Sequence, residues 1–173
     1  MQYFLKGQNE LYNHQNYFNL DVTGDPSMEA AYPKTHRHAG CDYGCHVGTP
    51  IFAPADGTAV SATFSKVKGN VLIYSFDYNG KNYGLEFCHL RELPATGPKK
   101  EGEIIGYTGA TGSACFGAHL HSVMWLDTIV AKRYQEIFAA GQAGWREGSA
   151  KIQQFISEGK LIDNYKFFKE ALG

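Results

Sequence analysis

The pair Asn79-Gly80 stands between two apolar runs, Asn70-Val71-Leu72-Ile73-Tyr74-Ser75-Phe76 and Lys81-Asn82-Tyr83-Gly84-Leu85-Glu86-Phe87. Both residues of the pair tolerate positive φ, which a two-residue hairpin turn demands. The flanking runs are therefore expected to pair as antiparallel strands. The same texture extends over residues 31–126, where most of the chain's 20 glycines separate short β-prone runs such as Gly48–Ala53 and Thr58–Phe64.

The flanks differ. Residues 1–30 are polar, aromatic and rich in asparagine (Asn9, Asn13, Asn16, Asn19), with no sustained periodicity. After Leu126, Val130, Tyr134, Ile137, Phe138 and Gly141 follow helical spacing, and Leu161, Tyr165, Phe168 and Leu172 do so again, with Gly159 and Gly173 as stops. The expectation is one domain over residues 1–173, with an N-terminal segment (1–30), a β core (31–126) and a helical extension (127–173) packed onto the sheet. A length of 173 residues suits one domain.

Composition removes several function classes. Hydrophobic residues at 43% and aromatics at 14% are enough to bury a core, which excludes disorder. Sixteen basic against seventeen acidic residues leave no field to attract a phosphate backbone, so no nucleic-acid partner is expected. The longest apolar stretches, such as Val71–Tyr74, fall far short of the ~20 residues that span a bilayer. The start, Met1-Gln2-Tyr3-Phe4-Leu5-Lys6-Gly7-Gln8, shows neither a basic lead nor an apolar stretch, so no secretory signal is visible.

The chemistry gathers at three histidine clusters: His36-Arg37-His38-Ala39-Gly40-Cys41-Asp42, Cys88-His89-Leu90, and Gly117-Ala118-His119-Leu120-His121. On a strand, residues i and i+2 share a face at roughly 6.5–7 Å, so His119 and His121 can reach one small ion or substrate while Leu120 points to the apolar side. His38 and Asp42 share parity but would stand roughly 13 Å apart on a straight strand. The chain should therefore bend between them, at Gly40. Two imidazoles and one carboxylate make a suitable set for catalytic zinc, leaving one coordination position for water. Spacing alone leaves open which three of His38, Asp42, His89, His119 and His121 bind the ion.

These residues resemble the lysostaphin/LytM-type family of zinc peptidoglycan endopeptidases. The likeness begins at His38-Ala39-Gly40-Cys41-Asp42, similar to the family's His-x-Gly-x-Asp signature. It continues through Gly48-Thr49-Pro50-Ile51-Phe52-Ala53-Pro54-Ala55-Asp56-Gly57-Thr58, then Phe87-Cys88-His89-Leu90 and Gly102-Glu103-Ile104-Ile105-Gly106-Tyr107-Thr108-Gly109-Ala110-Thr111-Gly112. It closes on Gly117-Ala118-His119-Leu120-His121. The resemblance implies a mainly β fold, an antiparallel sheet with a groove over the metal and helices at its edge. It makes His38, Asp42 and His121 the Zn2+ ligands, and His89 and His119 the non-ligating catalytic histidines. Tyr32 is the nearest match to the family's upstream tyrosine. The implied substrate is a peptide bond of peptidoglycan stems or cross-bridges. That implies action in the cell envelope, outside the cell or from a phage virion.

This chain departs from the pattern at Ser122, where an aromatic is usual, at Phe87, where tyrosine is common, and in its four cysteines. Strand parity turns Cys41 and Cys88 away from the histidines, as small buried hydrophobes. Cys45 and Cys115 fall in loops bordering the groove, where a disulfide is the lesser alternative to two free thiols, and a second metal site at Cys45-His46 is less favoured still. In some family members an asparagine fills the open zinc position. The stretch Asn13-His14-Gln15-Asn16 is a candidate for that role, against the favoured reading of a strand or loop packed on the sheet. Two rivals remain. A non-catalytic wall-binding or partner-activating member would typically lose site residues, and all five are present. A lipoyl- or biotinyl-type carrier needs a lysine at a hairpin tip beside small residues or methionine, a context that Lys66 and Lys68 lack.

Overall fold

Between Tyr78 and Lys81, which pair across the turn, Asn79 and Gly80 adopt φ of +49° and +71°, as the hairpin expectation requires. The structure, a computed structural model, describes residues 1–5, 40–139, 154, 155 and 157–173. Its strands are β1 (Cys41–Gly44), β2 (Pro50–Phe52), β3 (Gly57–Ser65), β4 (Gly69–Tyr78), β5 (Lys81–Leu90), β6 (Gly97–Lys99), β7 (Ile104–Tyr107), β8 (His119–Leu126) and β9 (Leu161–Ile162). The described helices are α1 (Thr128–Ala139) and α2 (Asn164–Leu172).

The main sheet runs β1-β8-β5-β4-β3-β6, with β9 paired to β8, and β2 pairs β7 in a separate ribbon. Every pairing is antiparallel. The mainly antiparallel β fold with C-terminal helices is as expected. The long central strands β4 and β5 are held on both sides, and their residues are mostly buried.

Alternation along β8 sorts the molecule into two faces. Leu120 and Met124 enter a core with Phe4, Leu5, Cys41, Tyr43, Leu85, Phe87 and Phe168. On the opposite face Val123 and Trp125 pack with Ile73, Ala131 of α1, Phe155 and Leu161. His119 and His121 share that second face, at the end of β8 away from α1.

The helical spacing before Gly141 is realised in α1. Leu161, grouped by its spacing with a second helix, instead forms the two-residue strand β9 on Trp125 and Met124, before α2 begins. Asp163 caps α2 by accepting from the Lys166 amide at 3.0 Å. Phe4 and Leu5 lie in a segment that showed no periodicity, yet both are buried, and Phe4 packs edge-on against Tyr43, Phe87 and Phe168 at 5.1–5.3 Å. Two core anchors five residues from the start carry too short a pattern to read.

Candidate active site

Antiparallel register builds the first half of the site. Asp42 of β1 lies opposite His121 of β8, so both side chains leave the sheet on one face. The His121 Nδ1–H donates to Asp42 Oδ1 at 2.8 Å, and His119 Nε2 stands 3.8 Å from the same oxygen. Asp42 is 7% exposed, so these imidazoles act on it with little screening by water. The bend expected at Gly40 has a steric counterpart. A Cβ there would lie 2.6 Å from the Ser122 carbonyl oxygen and 2.8 Å from His121 Cε1. Only glycine lets β1 enter this close to the His121 ring.

His89 arrives by an irregularity at the end of β5. Cys88 is opposite His121, so a regular strand would turn the next side chain to the far face. His89 instead takes φ of +61°, and its ring returns to 4.8 Å from that of His119 and 6.1 Å from that of His121. Such a conformation costs about 1–3 kcal/mol and persists only where its surroundings fix it. Here the His89 amide donates to the Lys68 carbonyl at 2.9 Å, and Nδ1 bonds the Thr111 carbonyl at 2.8 Å. Thr111 is itself pinned: its hydroxyl donates to the Leu90 carbonyl and accepts from the Asn70 amide.

The same turn corrects the parity assigned to Cys88. It lies on the histidine face, fully buried, with its thiol 3.3 Å from Glu86 Oε1. Burial and the Glu86 carboxylate push that thiol's pKa well up, which keeps it protonated. Beneath it Glu86 pairs with Lys68 Nζ at 2.7 Å, both buried. Cys41 does face the opposite core, opposite Ser122. All four cysteines are free, so Cys45 and Cys115 are not bridged.

Carbonyl tethers set the tautomers. A carbonyl oxygen only accepts, so Nδ1 of His89 carries the hydrogen toward Thr111, and Nδ1 of His119 carries one toward the Gly117 carbonyl at 2.8 Å. Each ring is left to work through Nε2. Burial, reinforced by His121 and His119, lowers His89 to about 3, so it is neutral at working pH. For His119 burial opposes the proton, but Cys115, Asp42 and the Gly117 carbonyl outweigh it and raise the pKa to about 9. One neutral and one protonated imidazole thus stand side by side.

Of the residues singled out in the sequence, Asp42, His89, His119 and His121 are brought together. His38 and Tyr32 lie outside the described residues, as does Asn13-His14-Gln15-Asn16. Sequence reasoning missed the tethering carbonyls of Thr111 and Gly117, whose only signal was their place in the glycine-rich loop. It also missed how near Cys115 comes: its sulfur is 3.7 Å from His119 Nδ1. Among the described residues, no cluster of metal-ligating groups includes Cys45 or His46.

Comparison with known proteins follows this geometry. A model for peptidase family M23 matches residues 36–139. Peptidoglycan DD-endopeptidase ShyC of Vibrio cholerae serotype O1 is 38% identical over 86 residues, which cover 49% of this chain and 19% of that protein. Peptidoglycan DD-endopeptidase ShyA of the same organism is 26% identical over 147 residues, 82% of this chain and 32% of that protein. The chain therefore spans a third or less of the length of these curated relatives. The solution structure of lysostaphin superposes with a TM-score of 0.52 at 23% identity, covering 81% of this chain and 47% of that one, a likeness of fold.

Proposed function

The chain belongs to peptidase family M23, of the lysostaphin/LytM type, and we propose that it is a zinc-dependent endopeptidase cutting peptide bonds in peptidoglycan stems or cross-bridges. One observation carries the reading: Asp42, His121, His119 and His89, drawn from three strands, converge on one face, with Nδ1 of His89 and of His119 tethered to carbonyls and Nε2 of each left out of those bonds. The curated relatives matched above carry names that state peptidoglycan endopeptidase activity, which supports the same substrate class.

The donor set fits zinc. Asp42 and His121 offer a hard oxygen and a borderline nitrogen already in contact, and a metal on that nitrogen would displace the hydrogen between them. With His38, outside the described residues, they would hold the ion. Bound there, zinc would supply Lewis-acid polarisation of the scissile carbonyl and a more acidic water.

The remaining work falls to the two other histidines. His89 is neutral, and its Nε2 lone pair accepts the proton of the attacking water. His119 bears a proton and delivers it to the departing amide nitrogen, which leaves as an amine. While charged, it also steadies the negative charge growing on the carbonyl oxygen. The backbone carbonyls keep both rings from flipping. Peptidoglycan as substrate places the action in the cell envelope, outside the cell, or in a phage virion. The four site side chains lying together weigh against a non-catalytic role, and family membership leaves the carrier reading without support.

The test is mass spectrometry of fragments released from purified peptidoglycan, untreated, with chelator, and after zinc is restored. New amino termini at one stem or bridge bond, lost with chelator and regained with zinc, are the expected result. Intact peptidoglycan after exposure to folded, zinc-loaded protein would overturn the reading.

A further inference from the structure

We propose that Cys115, His89 and His119 form a second cation site, adjoining the Asp42–His121 centre, for a soft or borderline divalent ion such as Zn2+ or Cd2+. One ligating atom from each of the three lies within 4.8 Å of the other two. A tetrahedral zinc with Zn–S of ~2.3 Å and Zn–N of ~2.0–2.1 Å sets its sulfur and nitrogen ligands roughly 3.5 Å apart. The Cys115 Sγ to His119 Nδ1 separation is 3.7 Å, so that edge is nearly formed. Closing the rest from the 4.8 Å limit takes a movement of about an ångström, on a loop bounded by Gly112 and Gly117 where Cys115 is half-buried and Phe116 is exposed. Thiolate and imidazole are the donors that select such ions over Mg2+ or Ca2+.

The present bonds show what binding would exchange. Cys115 and His119 Nδ1 both donate to the Gly117 carbonyl, at 3.0 and 2.8 Å. An ion on sulfur and Nδ1 displaces both hydrogens: the thiol proton and the Nδ1 proton leave to solvent, and the ring keeps its remaining proton on Nε2. Gly117 is exposed, so its carbonyl turns to water at little cost. His89 contributes Nε2, because Nδ1 is held by Thr111.

The consequence for catalysis rests on the function proposed above. Filling this site takes the nitrogen that His89 uses as base and leaves His119 a neutral ring, without the charge that the proposed hydrolysis uses. Excess zinc would then inhibit the enzyme through Cys115, a residue that takes no direct part in the proton transfers proposed above.

The test uses metal-free protein in a phosphine reductant, titrated with Co2+ and followed by near-ultraviolet absorption and native mass spectrometry. The expected result is two ions per chain and a thiolate-to-cobalt charge-transfer band, with Cys115→Ser losing the band and one ion. Asp42→Ala should lose the other ion and keep the band. A wild-type chain without the band, or a band that disappears in Asp42→Ala, overturns the proposal. If the hydrolytic centre alone has been misread, wild type binds one ion, with the Cys115-dependent band, and Asp42→Ala changes nothing.

Discussion

Tyr43 donates its hydroxyl to Oδ1 of Asn164 across 2.8 Å, joining the strand next to Asp42 with the helix at the far end of the chain. The same Asn164 donates Nδ2 to the Ser122 hydroxyl at 2.6 Å and to the Ser122 carbonyl at 3.0 Å. Tyr43 adjoins Asp42 and Ser122 adjoins His121, so one buried amide ties together, from behind the sheet, the two strands that present the site. Ser122 is a departure from the family pattern, and this bond gives it a use: a phenylalanine there would have no hydroxyl to offer α2.

Asn164→Ala should therefore cost more than the loss of one hydrogen bond. It strands the Tyr43 and Ser122 hydroxyls in the interior, where each unsatisfied group costs about 1–3 kcal/mol, and takes one bond from the Ser122 carbonyl. A loss of about 3 kcal/mol or more is expected. Tyr43→Phe removes one partner and should cost about 1 kcal/mol. Urea denaturation of the two single variants and the double variant checks this. Strictly additive losses would show that the three groups do not act as a network.

The Lys68–Glu86 pair beneath Cys88 makes a second prediction. Lys68→Met leaves the Glu86 carboxylate without its cation at 0% exposure, and breaking such a pair costs about 3–5 kcal/mol. Replacing both together, Lys68→Met with Glu86→Leu, should recover much of that loss, because no charge is then left to desolvate. Denaturation midpoints of the single and double variants decide it. A double variant less stable than the single would contradict the account.

Metal-free protein should show opposite pH dependences at the two histidines. His89 titrates at about 3 in the folded chain, against ~6.5 unfolded, so the unfolded state binds the extra proton. Wild type should thus lose stability relative to His89→Gln as pH falls below ~6.5, approaching ~1.4 kcal/mol per pH unit. His119 titrates at about 9, so its proton stabilises the fold fully below ~6.5 and loses that effect as pH rises through 9. Relative to His119→Gln, wild type should weaken over that alkaline window. Urea titrations in chelator from pH 4.5 to pH 9.5 read both slopes, and either slope reversed would refute its assignment.

What was legible in the sequence depended on regular period and local turn chemistry. The Asn79-Gly80 hairpin and the alternation that puts His119 and His121 on one face needed nothing beyond two-residue periodicity. Cys88 went astray because His89 leaves that period at φ of +61°, a twist held by Thr111 and Lys68 from distant loops. Asn164 was invisible for a related reason. Its place as a buried hub depends on where α2 docks, and a polar residue at the start of an exposed-looking helix reads as surface. Leu161 followed a helical spacing by chance, and the open edge of β8 claimed it as a strand.

Gly40 carries the sharpest structural demand next to the site, and Gly40→Ala tests it. The added methyl would meet the Ser122 carbonyl oxygen at 2.6 Å, His121 Cε1 at 2.8 Å and Val123 Cγ2 at 3.0 Å, at a backbone φ of +155°. The carbonyl belongs to the β1–β8 ladder and cannot retreat without breaking it, so β1 must move outward and take Asp42 with it. Overpacking of this kind costs about 1–3 kcal/mol in stability. The larger effect should fall on catalysis, since a displacement of about 1 Å at a catalytic group can cost ~10²-fold in rate. Variant and wild type should therefore differ by a few degrees in melting temperature but by about two orders of magnitude in the rate of peptidoglycan peptide release. Comparable rates in the two proteins would mean that Asp42 and His121 tolerate a looser approach of β1 than their 2.8 Å contact indicates.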